Sequence, residues 1–234
     1  STPLYSSAAS DVYKRQLFKR GYRIEHGEAP MKEDLAAGIL SLSGWDRRSS
    51  LMDPMCGSGT ILFEAWMMAA GIAPNLNRRF GFESLLDYDR DLHATEKKNL
   101  QNREKKPEGL RLLGIEIDQR TSSTMERILR THFPESPIVL RRGKFQNVDP
   151  GAQFGALVSN PPYGLRSGTE ADITPLYTDL GAFLRRHLKE GVAGIYTANH
   201  AAAACFGGSE KSSLPLLNGS LEGRLYRVAP HQTA

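Results

Sequence analysis

Short apolar runs alternate with amphipathic stretches along most of the chain. The apolar runs predict five strands, over residues 50–53, 110–117, 137–140, 155–159 and 192–197. The stretches between them place apolar residues at helical spacing, and they predict helices from Ala29-Pro30 to Gly44 and over 60–70, 84–106, 119–132 and 172–188. Because strands and helices of these lengths alternate, the chain predicts an α/β fold with a parallel sheet and helices on both faces.

The predicted helices differ in polarity. Segment 60–70 is apolar almost all round, which predicts a buried helix. Segment 84–106 is polar and charged and is expected at the surface. The first helix has Pro30 in its first turn, Glu33 and Asp34 follow near the positive end of its dipole, and Gly44 ends it.

The end of the chain has a different pattern. Two apolar stretches, 214–217 and 221–228, flank Asn218-Gly219. This dipeptide predicts a hairpin with a type I′ turn. An antiparallel hairpin is therefore expected to close the otherwise parallel sheet.

Composition narrows the class of protein. The chain has 234 residues, 40% hydrophobic and 24% charged, which is an ordinary globular mix. No apolar run approaches the ~18–20 residues of a membrane helix. Two cysteines, Cys56 and Cys205, are too few for a disulfide scaffold or a Cys-based zinc site, so we expect a reducing, cytoplasmic setting. The net charge of +4 permits a polyanionic partner without requiring one.

The first sixteen residues stand apart from this pattern. Residues 1–16 have little apolar content, and Asp11 to Gln16 (DVYKRQ) resembles the translation of a transposon-end adapter used in sequencing libraries. The alternative is a natural flexible tail. We interpret the segment as adapter-derived and take residues 17–234 as the part that folds.

The first chemical motif is Asp53 to Thr60, DPMCGSGT, between a predicted strand and a buried helix. Ligands of such folds bind at the carboxyl edge of the sheet. Gly57 and Gly59 let the backbone approach a ligand closely, and Asp53 can hold a cationic amine. No Lys follows the glycines, so this is not a phosphate-binding P-loop. The alternative is a tight strand–helix turn.

The second motif is GIEID, residues 114–118, where the second predicted strand ends. Glu116 can accept both ribose hydroxyls of a nucleoside, as acids do in other doubly wound folds. Ile117 would pack on the adenine ring, and Asp118 would cap the next helix. The alternative is that both acids are merely solvated.

The third motif, SNPPYG, begins at Ser159 and ends the fourth predicted strand. Pro161 and Pro162 stiffen the backbone and remove two N–H donors. The Asn160 amide oxygen and the Pro161 carbonyl can then grip an exocyclic amino group, and Tyr163 can stack on the base that carries it. The alternative is a proline-rich stop to the strand.

These motifs resemble those of class I S-adenosylmethionine-dependent amino-methyltransferases. Several further segments resemble RNA guanine-N2 methyltransferases, which usually carry an N-terminal THUMP domain, with bacterial 23S rRNA enzymes the most similar. These segments are KRGYR, APMKEDLAAGIL, GIAPNLNRRFGFE, NPPYGLRSG, LYTDLG and LLNGSLEGRLYR. The resemblance extends from Leu17 to about Val228. No THUMP domain is present, so we expect residues 17–234 to be a catalytic domain separated from an RNA-binding one.

The resemblance implies a Rossmann-like, seven-stranded sheet with an antiparallel last strand and a site that transfers methyl groups to the N2 amino group of a guanine in RNA, expected in 23S rRNA. Implied catalytic residues are Asn160, Pro161, Pro162 and Tyr163. Implied contacts to S-adenosylmethionine are Pro30, Met31, Lys32, Asp53, Cys56, Gly57, Ser58, Gly59, Thr60, Glu116, Ile117, Gln146 and Asn160.

One departure affects adenine recognition. The family usually has an acidic residue after the third strand, whereas this chain has Lys144. Gln146 or a backbone group would then contact the adenine, or affinity would be lower. Other acceptors that such motifs serve, DNA adenine and protein glutamine, remain alternatives, as does a non-catalytic binding module.

Other polar residues carry weaker signals. The histidines lack the spacing of metal ligands; those considered are His26, His93, His132, His187 and His200. We interpret Cys56 as a packing residue, because a nucleophile would need a partner base. Five basic residues either contact RNA phosphates or are ordinary surface charge: Lys19, Arg20, Arg23, Arg78 and Arg79.

Overall fold

A seven-stranded sheet forms the centre of the protein in this computed structural model, which describes residues 19–23, 31–164, 173–188, 190–206 and 210–228. Its strands are β1 (Leu51–Asp53), β2 (Leu112–Glu116), β3 (Ile138–Arg142), β4 (Ala156–Ser159), β5 (Val192–Thr197), β6 (Glu210–Asn218) and β7 (Leu221–Val228). They are ordered β3-β2-β1-β4-β5-β7-β6. Strands β1 to β5 pair in parallel, and β7 is antiparallel to both neighbours. The predicted fold, with its antiparallel last strand, is confirmed.

Helices cover both faces of this sheet. They are α1 (Glu33–Ser43), α2 (Thr60–Ala70), α3 (Arg90–Gln101), α4 (Gln119–His132), α5 (Thr174–His187) and α6 (His200–Ala203), with 3-10 turns at Gly81–Ser84, Phe145–Asn147 and Ala204–Phe206. None of the described helices is long and apolar enough to cross a membrane.

The core lies in two layers, one on each face of the sheet. Successive strand residues point to opposite faces, so Leu51 packs in one layer and its neighbour Met52 in the other. The first layer includes apolar residues of α1, α2 and α4. The second includes those of α5 and α6. Because α2 is buried nearly throughout, as its composition predicted, it holds the loop before it in a fixed place.

Two predicted helix boundaries differ from the structure. Helix α1 begins at Glu33 rather than at Ala29-Pro30, although Glu33 and Asp34 do occupy its first turn and Gly44, in left-handed conformation, ends it. Pro30 lies outside the described residues, as do residues 1–16. The segment 84–106, expected to be largely helical, contains α3, which begins only at Arg90, where the side chain of Asp89 accepts a hydrogen bond from Leu92 N at 2.8 Å. Helix α3 has no buried residue, as predicted.

The hairpin turn is displaced by one residue. Asn218 is the last residue of β6 and pairs with Leu221. The loop is therefore Gly219-Ser220, and of its two residues only Gly219 has positive φ, at 68°. Glycine at the first central position is typical of a type II′ turn rather than the predicted type I′.

A short basic segment, residues 19–23, packs along α2. Arg20 Nε lies 3.2 Å from Glu64 Oε1, and the hydroxyl of buried Tyr22 donates to the same oxygen at 3.2 Å. Burial raises the pKa of Glu64 to about 7 despite this arginine. Arg23 lies 3.5 Å from Glu33. Arg20 and Arg23 thus make internal ion pairs, and the prediction that they contact RNA phosphates is not supported.

Gly114 in β2 gives a direct test of this packing. A Cβ there would lie 2.7 Å from both Cys56 Sγ and Leu62 Cδ1, closer than real contacts allow. Gly114→Ala should therefore lower the free energy of unfolding by about 1–3 kcal/mol, measured by urea denaturation. The control is Gly38→Ala in α1, where a Cβ meets nothing within 4 Å and stability should rise by about 0.5–1 kcal/mol. Equal effects would contradict the described packing.

Candidate functional site

The three motifs meet at one edge of the sheet. Strands β2, β1 and β4 are neighbours and run parallel, so the loops that follow them emerge side by side. Two hydrogen bonds link the three motifs directly: Gly57 N donates to Glu116 Oε2 at 2.8 Å, and Ser159 Oγ donates to Asp53 Oδ1 at 2.6 Å. The sheet has thereby brought together residues that are distant in the sequence.

The loop between β1 and α2 depends on its glycines. Gly57 and Gly59 have φ values of 56° and 89°, in the left-handed region that favours glycine. At Gly59 a Cβ would also lie 2.9 Å from Phe63 Cζ and 3.0 Å from Met125 Cε. Cys56 N donates to Ile115 O at 3.0 Å, which fixes the loop on β2. The result is a backbone cradle with no side chain at two positions.

Asp53 is a buried acid at the start of this loop. Its side chain is 1% exposed, and Oδ1 also accepts from Met55 N at 3.1 Å. Its pKa is raised to about 7, chiefly by burial and to a smaller extent by the nearby charge of Glu116, while the hydrogen bonds from Ser159 and Met55 oppose the shift. The carboxyl therefore gains and loses its proton near neutral pH.

This shift predicts a pH dependence of stability. Between the ordinary pKa of 3.8 and about 7, the folded protein binds a proton at Asp53 that the unfolded chain does not. The free energy of unfolding should therefore fall as pH rises across this interval, by about 4 kcal/mol from this group. Asp53→Asn should remove that part of the slope in urea denaturation series. Glu64 contributes in the same direction, so Asp53→Asn/Glu64→Gln should be flatter still; an unchanged slope in both variants would refute the assignment.

Glu116 connects the first two loops. Its Oε2 accepts from Gly57 N, and its Oε1 accepts from Asp118 N, both at 2.8 Å. Each carboxylate oxygen has two lone pairs, so each can accept one further hydrogen bond. Ile117, the next residue, is 62% exposed. Its apolar side chain is therefore available to pack against the face of a planar ring. Asp118 caps α4 by accepting from Thr121 N at 2.7 Å, as predicted.

The third loop leaves β4 at Asn160. Pro161 is buried, Pro162 is exposed, and Asn160 and Tyr163 are half-buried. The Tyr163 hydroxyl donates to Asn160 Oδ1 at 2.5 Å, so the acceptor predicted to hold an amino group is occupied by a side chain of its own loop. Burial raises the pKa of Tyr163. The Tyr163 ring lies edge-on to Tyr196, with centroids 6.4 Å apart.

The remaining predicted cofactor contacts lie around the first loop. Met31 is buried and its carbonyl accepts from Arg23 Nη2 at 2.7 Å. Lys32 precedes α1, and Thr60 begins α2, with its hydroxyl 3.5 Å from Arg23 Nη2. Ser58 is half-buried in the loop. Cys56 is buried with Sγ 3.6 Å from Met125 Sδ, and burial raises its pKa, which fits a packing role.

Gln146 is the predicted residue that the structure places least favourably. It is exposed on the 3-10 turn after β3, and its Nε2 donates to Asp179 Oδ2 on α5 at 3.0 Å. Lys144 precedes this turn and is exposed. The amide of Gln146 thus bridges two elements, which does not support its predicted contact with adenine.

Sequence reasoning missed the residues behind the third loop. Tyr177 in α5 donates to Pro162 O at 3.2 Å, and Asn199 after β5 donates from Nδ2 to Tyr163 O at 3.1 Å. Thr197, at the end of β5, connects the two through further hydrogen bonds. The one available signal was that β5 also ends at this edge of the sheet, which predicts that polar residues following it lie near the site.

Known proteins are similar to this chain in sequence. A family model described as "RMKL-like, methyltransferase domain" matches residues 20–227. The ribosomal RNA large subunit methyltransferase K/L of Vibrio cholerae is 38% identical over 217 residues, 90% of this chain and 31% of that protein. The protein of the same name from Cellvibrio japonicus is 36% identical over 228 residues, 92% of this chain and 30% of its own length. The chain therefore spans about a third of the curated relatives it matches.

Solved structures of other proteins superpose on this fold. SMU.472, described as a methyltransferase complexed with SAH, superposes with a TM-score of 0.82 at 32% identity, covering 93% of this chain and 57% of that one. A protein from Listeria monocytogenes, named a predicted N6-adenine-specific DNA methylase, has a TM-score of 0.79 at 27% identity, with 92% of this chain and 55% of that one covered.

Proposed function

This chain belongs to the RMKL-like methyltransferase domain family, and we propose that it transfers a methyl group from S-adenosylmethionine to the exocyclic N2 amino group of a guanine in RNA. The relatives' names, ribosomal RNA large subunit methyltransferase, support 23S rRNA as the substrate and a cytoplasmic location. In this proposal residues 17–234 are the catalytic domain. The observation that carries the proposal is the direct hydrogen bonding between the three motifs at the ends of β1, β2 and β4.

The residues present suit S-adenosylmethionine. Glu116 has a free lone pair on each oxygen for the two ribose hydroxyls, and exposed Ile117 offers an apolar surface to the adenine. At Gly57 a Cβ would meet nothing within 4 Å, so open space lies over the backbone for the methionine part. Asp53, when deprotonated, would supply negative charge for the ammonium group. When bound, the cofactor supplies a methyl group on a positively charged sulfur.

The third loop prepares the acceptor. An amino group conjugated to a ring is a poor nucleophile. Two acceptors, Asn160 Oδ1 and Pro161 O, would take its two N–H hydrogens, turn its lone pair toward the methyl group and stabilise the positive charge that develops on nitrogen. Alignment of the two reactants supplies much of the remaining rate. The proton can leave afterwards, so no dedicated base is needed.

The acceptor meets an internal contact at Asn160. Tyr163 donates its hydroxyl to Asn160 Oδ1, and the incoming amino group can replace this donor or use the second lone pair of the same oxygen. Where it replaces the donor, the freed phenol ring can stack on the base. Asn160 is thus held in place before substrate arrives and loses no hydrogen bond when it binds.

A second candidate acceptor is the N6 amino group of adenine in DNA. The name of the Listeria monocytogenes protein favours it, and the chemistry of Asn160 and Pro161 would be the same. The test is transfer of labelled methyl groups from S-adenosylmethionine to rRNA, DNA and protein fractions in parallel. We expect label in rRNA. Label confined to DNA or protein would contradict the proposed substrate, and cofactor binding without transfer to any fraction would indicate a non-catalytic module.

A further inference from the structure

The third loop is held from behind by a chain of buried hydrogen bonds. Tyr177 and Thr197 are both fully buried. The Tyr177 hydroxyl donates to Pro162 O at 3.2 Å and lies 2.6 Å from Thr197 Oγ1. Asn199 N donates to Thr197 Oγ1 at 2.9 Å. These residues come from α5, from the end of β5 and from the loop after it, so three separate parts of the chain meet under the loop.

The number of available protons determines which group donates in each of these hydrogen bonds. A carbonyl only accepts, so the single Tyr177 hydrogen goes to Pro162 O. Thr197 must therefore donate its own hydrogen to the Tyr177 oxygen, which leaves its lone pair for Asn199 N. Burial raises the pKa of Tyr177 to about 12, so its hydroxyl keeps the proton that this chain requires. Each hydroxyl thus donates one hydrogen bond and accepts one, and the series of hydrogen bonds ends at the Pro162 carbonyl.

Asn199 holds the next carbonyl of the loop. Its Oδ1 accepts from Ala202 N at 2.9 Å, where it caps α6, and its Nδ2 donates to Tyr163 O at 3.1 Å. Because Ala202 N can only donate, the orientation of the amide is determined. The carbonyls of Pro162 and Tyr163 are therefore both satisfied within the protein.

We propose that Tyr177 and Asn199 are positioning residues that set the conformation of the Asn160-Pro161-Pro162-Tyr163 loop and so select the Pro161 carbonyl as the acceptor presented to substrate. This inference rests on the proposed function. Among the described residues no hydrogen bond reaches Pro161 O, whereas the two carbonyls after it are occupied. If the loop backbone rotated, a carbonyl other than that of Pro161 would face the amino group.

The test compares two tyrosine-to-phenylalanine variants. Tyr177→Phe removes the hydroxyl bonded to Pro162 O. Tyr196→Phe is a matched control, because Tyr196 is equally buried and its hydroxyl also donates to a carbonyl at 3.2 Å, that of Leu216 in β6. We expect Tyr177→Phe to lower kcat by about tenfold or more, with KM for RNA and Kd for S-adenosylmethionine unchanged. Tyr196→Phe should leave kcat nearly unchanged.

A second variant addresses the other carbonyl without removing the helix cap. Asn199→Asp keeps an oxygen for Ala202 N and loses the Nδ2 donor to Tyr163 O. As for Tyr177→Phe, we expect kcat to fall by about tenfold while KM is unchanged. If kcat falls no further in either variant than in Tyr196→Phe, or if KM and Kd change in place of kcat, the inference is wrong.

A readout independent of catalysis separates this inference from the proposed function. Hydrogen–deuterium exchange of the amides of Tyr163 and Gly164 should be faster in Tyr177→Phe and Asn199→Asp than in wild type and Tyr196→Phe. Exchange that does not differ would overturn the positioning role even in an active enzyme. If the wild-type chain transfers no methyl group, the proposed function fails, and exchange alone then decides whether these residues hold the loop.

Discussion

Replacing Asn160 by alanine should lower the rate of methyl transfer by about 10²–10³-fold, the cost of removing one preorganised group that stabilises a developing charge. The Asn160 side chain lies at the end of β4, with its Oδ1 already holding a hydroxyl donor. Without that oxygen the amino group keeps only the Pro161 carbonyl, so its lone pair is no longer fixed in direction. Single-turnover measurement of labelled methyl transfer to RNA reports this step directly.

Binding of S-adenosylmethionine should change little in Asn160→Ala, because Asn160 is only one of the implied cofactor contacts and the ribose and adenine contacts are proposed on Glu116 and Ile117. Calorimetry would show this. The control is Asn102→Ala, an exposed residue where α3 ends, for which both rate and affinity should match wild type. Turnover of Asn160→Ala within a few-fold of wild type would exclude the proposed chemistry.

Replacing Glu116 by alanine should weaken S-adenosylmethionine binding by about 10²-fold or more, since each hydrogen bond to a charged group contributes about 1.5–3 kcal/mol. Two effects combine here. The ribose would lose both acceptors, and Gly57 N and Asp118 N would lose theirs, so the glycine loop would no longer be fixed to β2 through this side chain. Calorimetric titration with the cofactor measures the loss.

A matched control for Glu116→Ala is Glu135→Ala. Glu135 is 84% exposed at its side chain and 3.8 Å from exposed Lys106, a surface pair that contributes little. Affinity for the cofactor should not change. A dissociation constant for Glu116→Ala close to that of Glu135→Ala would mean that the ribose is held elsewhere.

The sequence predicted that the three motifs of the candidate site lie together, because each motif follows the end of a strand. Asp53, Glu116 and Asn160 each follow a short apolar run, and parallel strands bring such positions to one edge. The cap by Asp118 and the left-handed glycines were predictable for the same reason: each depends on local backbone geometry. Local rules therefore gave the loops and their shared location.

Contacts between distant elements were not predictable in this way. The hydrogen bonds of Tyr177 and Asn199 to the third loop depend on how α5 packs against the sheet, and the engagement of Gln146 by Asp179 depends on the same helix. The ion pairs of Arg20 and Arg23 were not predicted because their partners, Glu64 and Glu33, lie on α2 and α1. Tertiary packing decided each of these cases.

We propose that this chain methylates the N2 amino group of a guanine in RNA. The most direct test incubates the purified chain with unmodified 23S rRNA and S-adenosylmethionine carrying a deuterated methyl group, then digests the RNA and identifies the labelled nucleoside by mass spectrometry. We predict deuterated N2-methylguanosine in wild type and its loss in Asn160→Ala. Label in any other nucleoside, or equal label in Asn160→Ala, would contradict the claim.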